Sequence, residues 1–435
     1  PLVKWSSEVR RLEDLPRLIH RAAKTALAPP TGPVFLSLPA DILGEEGNVD
    51  LQEPTRVAPR LRGDHAAIEE AAALLASAKR PLIIAGDAVA QSRAHVELVD
   101  LAETLGAPVY LELLPSTASF PTSHPLLRGT IFPRAQAVRQ ALEQHDVLFS
   151  VGADLFTWAL PSDIEPIPPW VPLIHLDVDP WELGKNYAAS VAILGDPKAT
   201  LPDLTAAVRE RMTNVDRDAA RDRLKTISDA IRTERESLAS KARELATKSP
   251  IEPLALLQAI GEILPKDAVV VEETTSSGQG IRQLIRSDDP QSFFGLRGGA
   301  TGWALPAAIG VKLALPDRPV VALIGDGGAM YTCQALWTAA HDRVAVTFVI
   351  FNNKSYRILK QRLYAAQGDS ARMDRYLGLE LDDPAIDFIR LAHALGMAAE
   401  RASTIADATD LIEQGIRGNV PTLVDVGLNR EFRSI

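Results

Sequence analysis

Along most of the chain, short apolar runs alternate with stretches whose apolar residues recur at helical spacing. Residues 81–85, 108–113, 147–151, 173–178, 268–271, 320–324, 344–351 and 421–426 are rich in Val, Ile and Leu and bounded by turn residues. Each predicts a short buried strand. Between them, the spacing of Leu12, Leu15, Leu18, Ile19, Ala22, Ala23 and Ala26 predicts a helix, as do the patterns over 253–264, 384–395 and from the glycines after 324 to about His341. Strands alternating with helices imply right-handed crossovers and parallel sheets, so the fold class is α/β with doubly wound parallel-sheet domains.

Polar stretches interrupt this alternation twice. Residues 45–64 carry Gly47, Pro54, Pro59 and Gly63 and read as a linker. Residues 216–248 contain no Gly or Pro and set Glu and Arg three and four positions apart, which predicts a solvated helical linker and not a basic binding patch. The resulting division is 1–45, 46–64, 65–210, 211–250 and 251–435. The first segment holds one helix and one strand (33–39), too little to bury its own apolar faces. Segment 65–210 has a Rossmann-like pattern without a dinucleotide fingerprint.

Composition narrows the function classes. With 46% hydrophobic and 23% charged residues the chain is an ordinary globular protein. A net charge of −10 without a basic stripe argues against nucleic acid, so an anionic ligand has to be held by metal and backbone dipoles. The single cysteine, Cys333, excludes an intrachain disulfide and reads as packing on a crossover helix. No apolar run approaches membrane-spanning length and no signal-peptide pattern opens the chain, so no membrane partner is expected and the expected compartment is the cytoplasm.

Candidate chemistry sits where two of the apolar runs end. Gly325-Asp326-Gly327-Gly328 follows 320–324, and Asn352-Asn353 follows 344–351. In a parallel sheet Asp326 and Asn353 both stand past carboxyl ends of strands, the edge where α/β sheets hold ligands. One carboxylate, one amide oxygen and a loop carbonyl suit Mg²⁺, which completes its octahedron with phosphate and water. Glycine N–H groups at a helix start seat phosphate. The same dipeptides are also common turn vocabulary. A dinucleotide site fits less well, because Met330 stands where a third glycine is needed and the second strand ends in asparagines. No Walker-type loop occurs.

The paired Gly-Asp-Gly and Asn-Asn resemble the thiamine diphosphate-binding motif, and the local run ALWTAA…FVIFNN resembles the benzoylformate decarboxylase branch of a superfamily that includes acetolactate synthases. The resemblance implies the thiamine diphosphate-binding fold with a Rossmann-like middle domain, and thiamine diphosphate and Mg²⁺ as cofactors. It implies Mg²⁺ ligands at Asp326, Asn353 and the carbonyl of Ser355. Cofactor contacts fall on Thr275, Ser276, the Gly299 carbonyl, Gly325, Gly327, Gly328 and Tyr356, with Thr301 where relatives carry a bulkier apolar side chain. Leu359 and Arg362 fall on a helix that lines the substrate pocket. Read without the resemblance, the hydroxyls of 274–277 offer helix caps or phosphate ligands, the first being the usual reason, and Arg362 is either a solvated residue or the partner of a substrate carboxylate. Glu272 and Glu273 would repel a diphosphate unless a cation intervenes or they point away.

The resemblance also marks departures. Residues 1–45, with GPVFLSLPADIL, resemble the end of a pyrimidine-binding domain, so the glutamate and histidines that relatives carry in that domain have no counterpart here and no catalytic residue is named. Where benzoylformate decarboxylases place a histidine after the strand matching 147–151, this chain has Ala159. His124, in a loop that resembles one of the family's, reads as a loop residue. The implied activity is non-oxidative decarboxylation of a 2-oxo acid by a homodimer or homotetramer. A carboligase of the acetolactate synthase type shares every residue named, and a catalytically incomplete cofactor-binding fragment is a third reading. Some synthases bind FAD in the middle domain; nothing in this sequence demands it, and FAD is not expected.

Overall fold

The computed structural model describes residues 2–58, 60–112, 116–131, 134–156 and 162–433. Pro59, Leu113 and Ala159 lie outside these residues. Among the described residues, three parallel sheets organise the fold. The smallest pairs β1 (Trp5–Glu8) with β2 (Val34–Ser37) around the helix Leu15–Leu27.

The second sheet comprises β3 (Pro81–Ala85), β4 (Val109–Leu111), β5 (Leu127–Thr130), β6 (Val147–Val151), β7 (Leu173–Asp177) and β8 (Val191–Leu194), in the spatial order β5-β4-β3-β6-β7-β8. That is the doubly wound order expected of a Rossmann-like unit. Strands β3, β6 and β7 are buried at every position, the signature of a parallel sheet covered on both faces.

The third sheet comprises β9 (Val269–Glu273), β10 (Phe293–Gly295), β11 (Val320–Gly325), β12 (Val346–Asn352), β13 (Ala398–Ala402) and β14 (Thr422–Gly427), in the order β10-β9-β11-β12-β14-β13. Its residues alternate between two cores. Val269, Val271, Ala322, Ile324, Phe348 and Ile350 pack on one face. Val270, Val321, Leu323, Val349 and Phe351 pack on the other. From β9 the chain moves outward to β10, whereas from β11 it moves the opposite way to β12. The connections therefore diverge between β9 and β11, which opens a crevice past their carboxyl ends.

The helix Asn214–Leu245 joins the two large sheets and starts at a capping box between Thr213 and Asp216. It is largely exposed, as its charges imply, but Ala220, Ile231 and Ala242 are buried. Arg235 donates to the carbonyls of His124 and Leu127, and Arg223 to that of Leu105. The helix is thus a packed strut and not only a solvated linker. Further ties cross directly between the sheets: Gly295 N–H donates to the Ser116 carbonyl (2.8 Å), and Arg282 to that of Thr117 (2.8 Å).

The helical stretch expected after Gly325 is broken. Helices Asp326–Ala329 and Ala335–His341 are separated by a turn, and Cys333 lies in that turn, half-buried, and not on a helix.

Candidate functional site at the strand ends

Glu273 ends β9 and Gly325 ends β11, so the loops after them flank the crevice. Asp326 begins the short helix on the β11 side and is 2% exposed. The backbone N–H dipoles of Gly327, Lys354 and Ser355 act on its carboxylate, so the loops after β11 and β12 meet here. Burial nevertheless pushes its carboxyl up to about 6, because those dipoles do not replace a countercharge. Asp326 Oδ2 has no hydrogen-bond partner among the described residues, nor has Oδ1 of the buried Asn353. A buried oxygen left unpaired is costly, and two such acceptors at one edge have the donor chemistry of a hard-cation seat.

The two asparagines divide their work. The Asn352 amide donates to Asp425 (2.9 Å) and its oxygen accepts from Lys354 N–H (3.3 Å), so this residue is consumed by structure. Asn353 keeps its oxygen free of protein donors. Ser355 is buried and donates its hydroxyl to the Leu379 carbonyl (3.0 Å), a bond that leaves its own backbone carbonyl uninvolved. Among the described residues no three His, Cys, Asp or Glu side chains gather, so a cation here would rely on one carboxylate and neutral oxygens.

On the β9 side, Thr275 is exposed, Ser276 half-buried and Ser277 buried. The two glutamates before them are both engaged by protein donors. Glu272 accepts from the N–H and hydroxyl of Thr274. Glu273 accepts from Gly302 N–H (2.5 Å) and Ala304 N–H (2.8 Å). This second contact tethers residues 298–304, where Gly298, Gly299 and Thr301 are exposed. Gly298 and Gly299 have positive φ and nothing within 4 Å of where a Cβ would stand, leaving an open cradle. Gly302 (φ +92°) closes the loop; a Cβ there would meet that of Tyr331 at 2.5 Å. Gly327 packs under Tyr356, whose ring would lie 2.7 Å from an added Cβ, and Gly328 faces the Glu273 carboxylate.

The remaining expected positions are peripheral. Leu359 is 42% exposed and Arg362 is exposed, both on the helix Arg357–Ala365. His124 lies in the middle unit, where its ring meets Glu103 at 3.3 Å and packs edge-on against Phe120. Sequence reasoning missed three charged residues: Arg357, Arg297 and the tethering role of Glu273. Arg297 reaches back to Asp87 (2.7 Å), which is wholly buried and also accepts from Ser116 and Thr117. Lys354 and an arginine directly after Tyr356 are the signals in the sequence that basic charge lies beside the anion seat.

A parallel α/β sheet with an acidic and an amide oxygen at its switch point, opposite a hydroxyl-bearing loop, places the chain among α/β proteins whose ligand edge can receive an anionic group. Comparison with known proteins makes this specific: the chain belongs to the thiamine pyrophosphate enzyme family. Residues 68–204 match the central domain of that family and 274–426 its C-terminal TPP-binding domain. The chain is 29% identical to a benzoylformate decarboxylase of Pseudomonas aeruginosa over 98% of its own length and 76% of that protein. It is 30% identical to a probable acetolactate synthase large subunit of Methanocaldococcus jannaschii, covering 98% of this chain and 71% of the other. The crystal structure of a benzoylformate decarboxylase from Polynucleobacter necessarius superposes with a TM-score of 0.86 at 28% identity, over 100% of this chain and 77% of that one.

Proposed function

We propose that the protein is a Mg²⁺-dependent, non-oxidative decarboxylase of a 2-oxo acid that uses thiamine diphosphate. The observation that carries this reading is the pair of buried, unpartnered oxygens on Asp326 and Asn353 at the switch-point crevice. These two, with the Ser355 carbonyl, would hold Mg²⁺. Thr275 and Ser276 would donate to the diphosphate, as would backbone N–H groups of 325–328. The Gly299 carbonyl would meet the aminopyrimidine over the open glycine cradle, with Thr301 and Tyr356 beside it. Bound thiamine diphosphate supplies the carbon nucleophile and the electron sink that loss of CO₂ requires. Leu359 and Arg362, at the exposed rim, would meet substrate.

The exposed apolar residues Met330 (39%), Tyr331 (59%) and Trp337 (52%) beside this edge support assembly as a homodimer or homotetramer. Cytoplasmic residence remains part of the proposal; among the described residues no helix is long and apolar enough to cross a membrane.

Carboligation of the acetolactate synthase type is a second reading, supported by the 30% identity to a probable acetolactate synthase large subunit; it joins the same carbon to a second carbonyl in place of a proton. The deciding experiment is CO₂ release by the full-length natural protein with thiamine diphosphate and Mg²⁺, over aryl and short 2-oxo acids. An aldehyde product supports the decarboxylase, a hydroxyketone supports the carboligase, and absence of CO₂ release rejects both.

A further inference from the structure

Arg357 follows β12, yet its side chain ends at the loop after β9, on the far side of β11 in the sheet order. It is 5% exposed. Its Nε donates to Ser276 Oγ (3.1 Å), one terminal nitrogen to Ser277 Oγ (2.6 Å) and the other to the Asn429 carbonyl (3.0 Å). A guanidinium only donates, so both serine oxygens are fixed as acceptors towards it. A hydroxyl carries one hydrogen, and that hydrogen is then left for a different acceptor. Arg357 therefore sets the polarity of the hydroxyls on the β9 side, and does so with a full positive charge that also feels Asp326 across the crevice.

We propose that Arg357 is a positioning residue for the cofactor's diphosphate: it aligns the Ser276 and Ser277 hydroxyls as donors to the anion and shares with Mg²⁺ the neutralisation of its charge. This rests on the thiamine diphosphate reading above. It also answers how a chain of net charge −10 holds a diphosphate beside a buried aspartate. The cation comes from a buried arginine and not from a basic surface.

The test compares Arg357→Gln, Arg357→Lys, Ser276→Ala and the Arg357→Gln/Ser276→Ala double variant with the unaltered protein. Calorimetric affinities are measured for thiamine diphosphate, inorganic pyrophosphate and unphosphorylated thiamine across a Mg²⁺ series. Arg357→Gln is expected to weaken thiamine diphosphate and pyrophosphate by about 10- to 100-fold. It should leave thiamine affinity unchanged and raise the Mg²⁺ needed for half-saturation. The loss in the double variant should be smaller than the two single losses combined, because the arginine acts in part through the serine. Arg357→Lys keeps the charge but lacks the fork, and a severalfold loss confined to phosphorylated ligands carries the test if the glutamine variant does not fold. Equal losses for thiamine and thiamine diphosphate, or unchanged diphosphate affinity, overturn the proposal. If the unaltered protein binds thiamine diphosphate and Asp326→Ala weakens binding while Arg357→Gln has no effect, this inference fails alone. If the unaltered protein binds neither phosphorylated ligand, the cofactor reading fails with it.

Discussion

Asp326 and Asn353 stand one and two residues past Gly325 and Phe351, the last positions at which two neighbouring parallel strands pair, and each keeps a buried side-chain oxygen without a partner. Residues at that place have left the ladder but not the protein interior. Their oxygens are shielded from water by the sheet edge and reach no protein donor, so a cation is the natural complement.

Asp326→Ala removes the only formal charge of that pair. Affinity for thiamine diphosphate should fall roughly 100-fold, the consequence of stripping one charge from a buried ion contact worth about 3 kcal/mol. The residual binding should no longer respond to Mg²⁺. Fluorescence titration at varied Mg²⁺ decides it, and undiminished, Mg²⁺-dependent binding would sink the proposed ligand set.

Glu273 holds residues 298–304 through two backbone N–H groups. Glutamine offers one acceptor where two are needed, so Glu273→Gln should lower the unfolding free energy by about 1–3 kcal/mol. Urea unfolding measures this directly. An unchanged midpoint would mean that the loop is held by other contacts.

Asp87 accepts from Ser116, Thr117 and Arg297 while wholly buried. Asp87→Ala strands these donors and should cost about 2–4 kcal/mol. The Arg297 side chain is 50% exposed, so solvent screens its share and Arg297→Ala should cost less than about 1 kcal/mol. Comparable losses for both variants in denaturant titrations would contradict this asymmetry.

Glu112 gives the fold a pH dependence. Burial, and next the neighbouring Asp87, push its carboxyl up to about 8, against the pull of Arg297 and of the N–H groups of Asp154 and Asp87. Below that value the folded chain keeps a proton that the unfolded chain releases above its ordinary 4.5. The stabilising contribution is complete below 4.5 and disappears as pH rises through about 8. Urea midpoints should therefore decline across that window. Glu112→Gln should flatten the decline; an equally steep profile in the variant would assign it to another group.

The central strands were legible in the sequence, and the edge strands were not. The apolar run 147–151 coincides with β6, and the runs near 81, 108, 173, 268, 320, 344 and 421 each overlap a strand of a sheet interior. The unanticipated strands of the two large sheets, β5, β8, β10 and β13, are their four edges. Sequences such as LRGT and AAERA carry half-exposed or polar alternation, and they are extended because a neighbouring strand offers its backbone.

The candidate site divides in the same way. Asp326 and Asn353 could be read from local motifs, since a strand end followed by glycines or asparagines fixes where its own residues stand. That much the sequence determined by itself. The partners of Glu273, Arg297 and Arg357 lie 29 to 210 residues away along the chain. Only the tertiary structure decided that Glu273 holds the 298–304 loop, that Arg297 pins the last sheet to the middle one, and that Arg357 joins the loop after β12 to the loop after β9. The physical reason is that a strand's address follows from its own apolar pattern, whereas a charged side chain's partner follows from which strand ends the sheet order brings together.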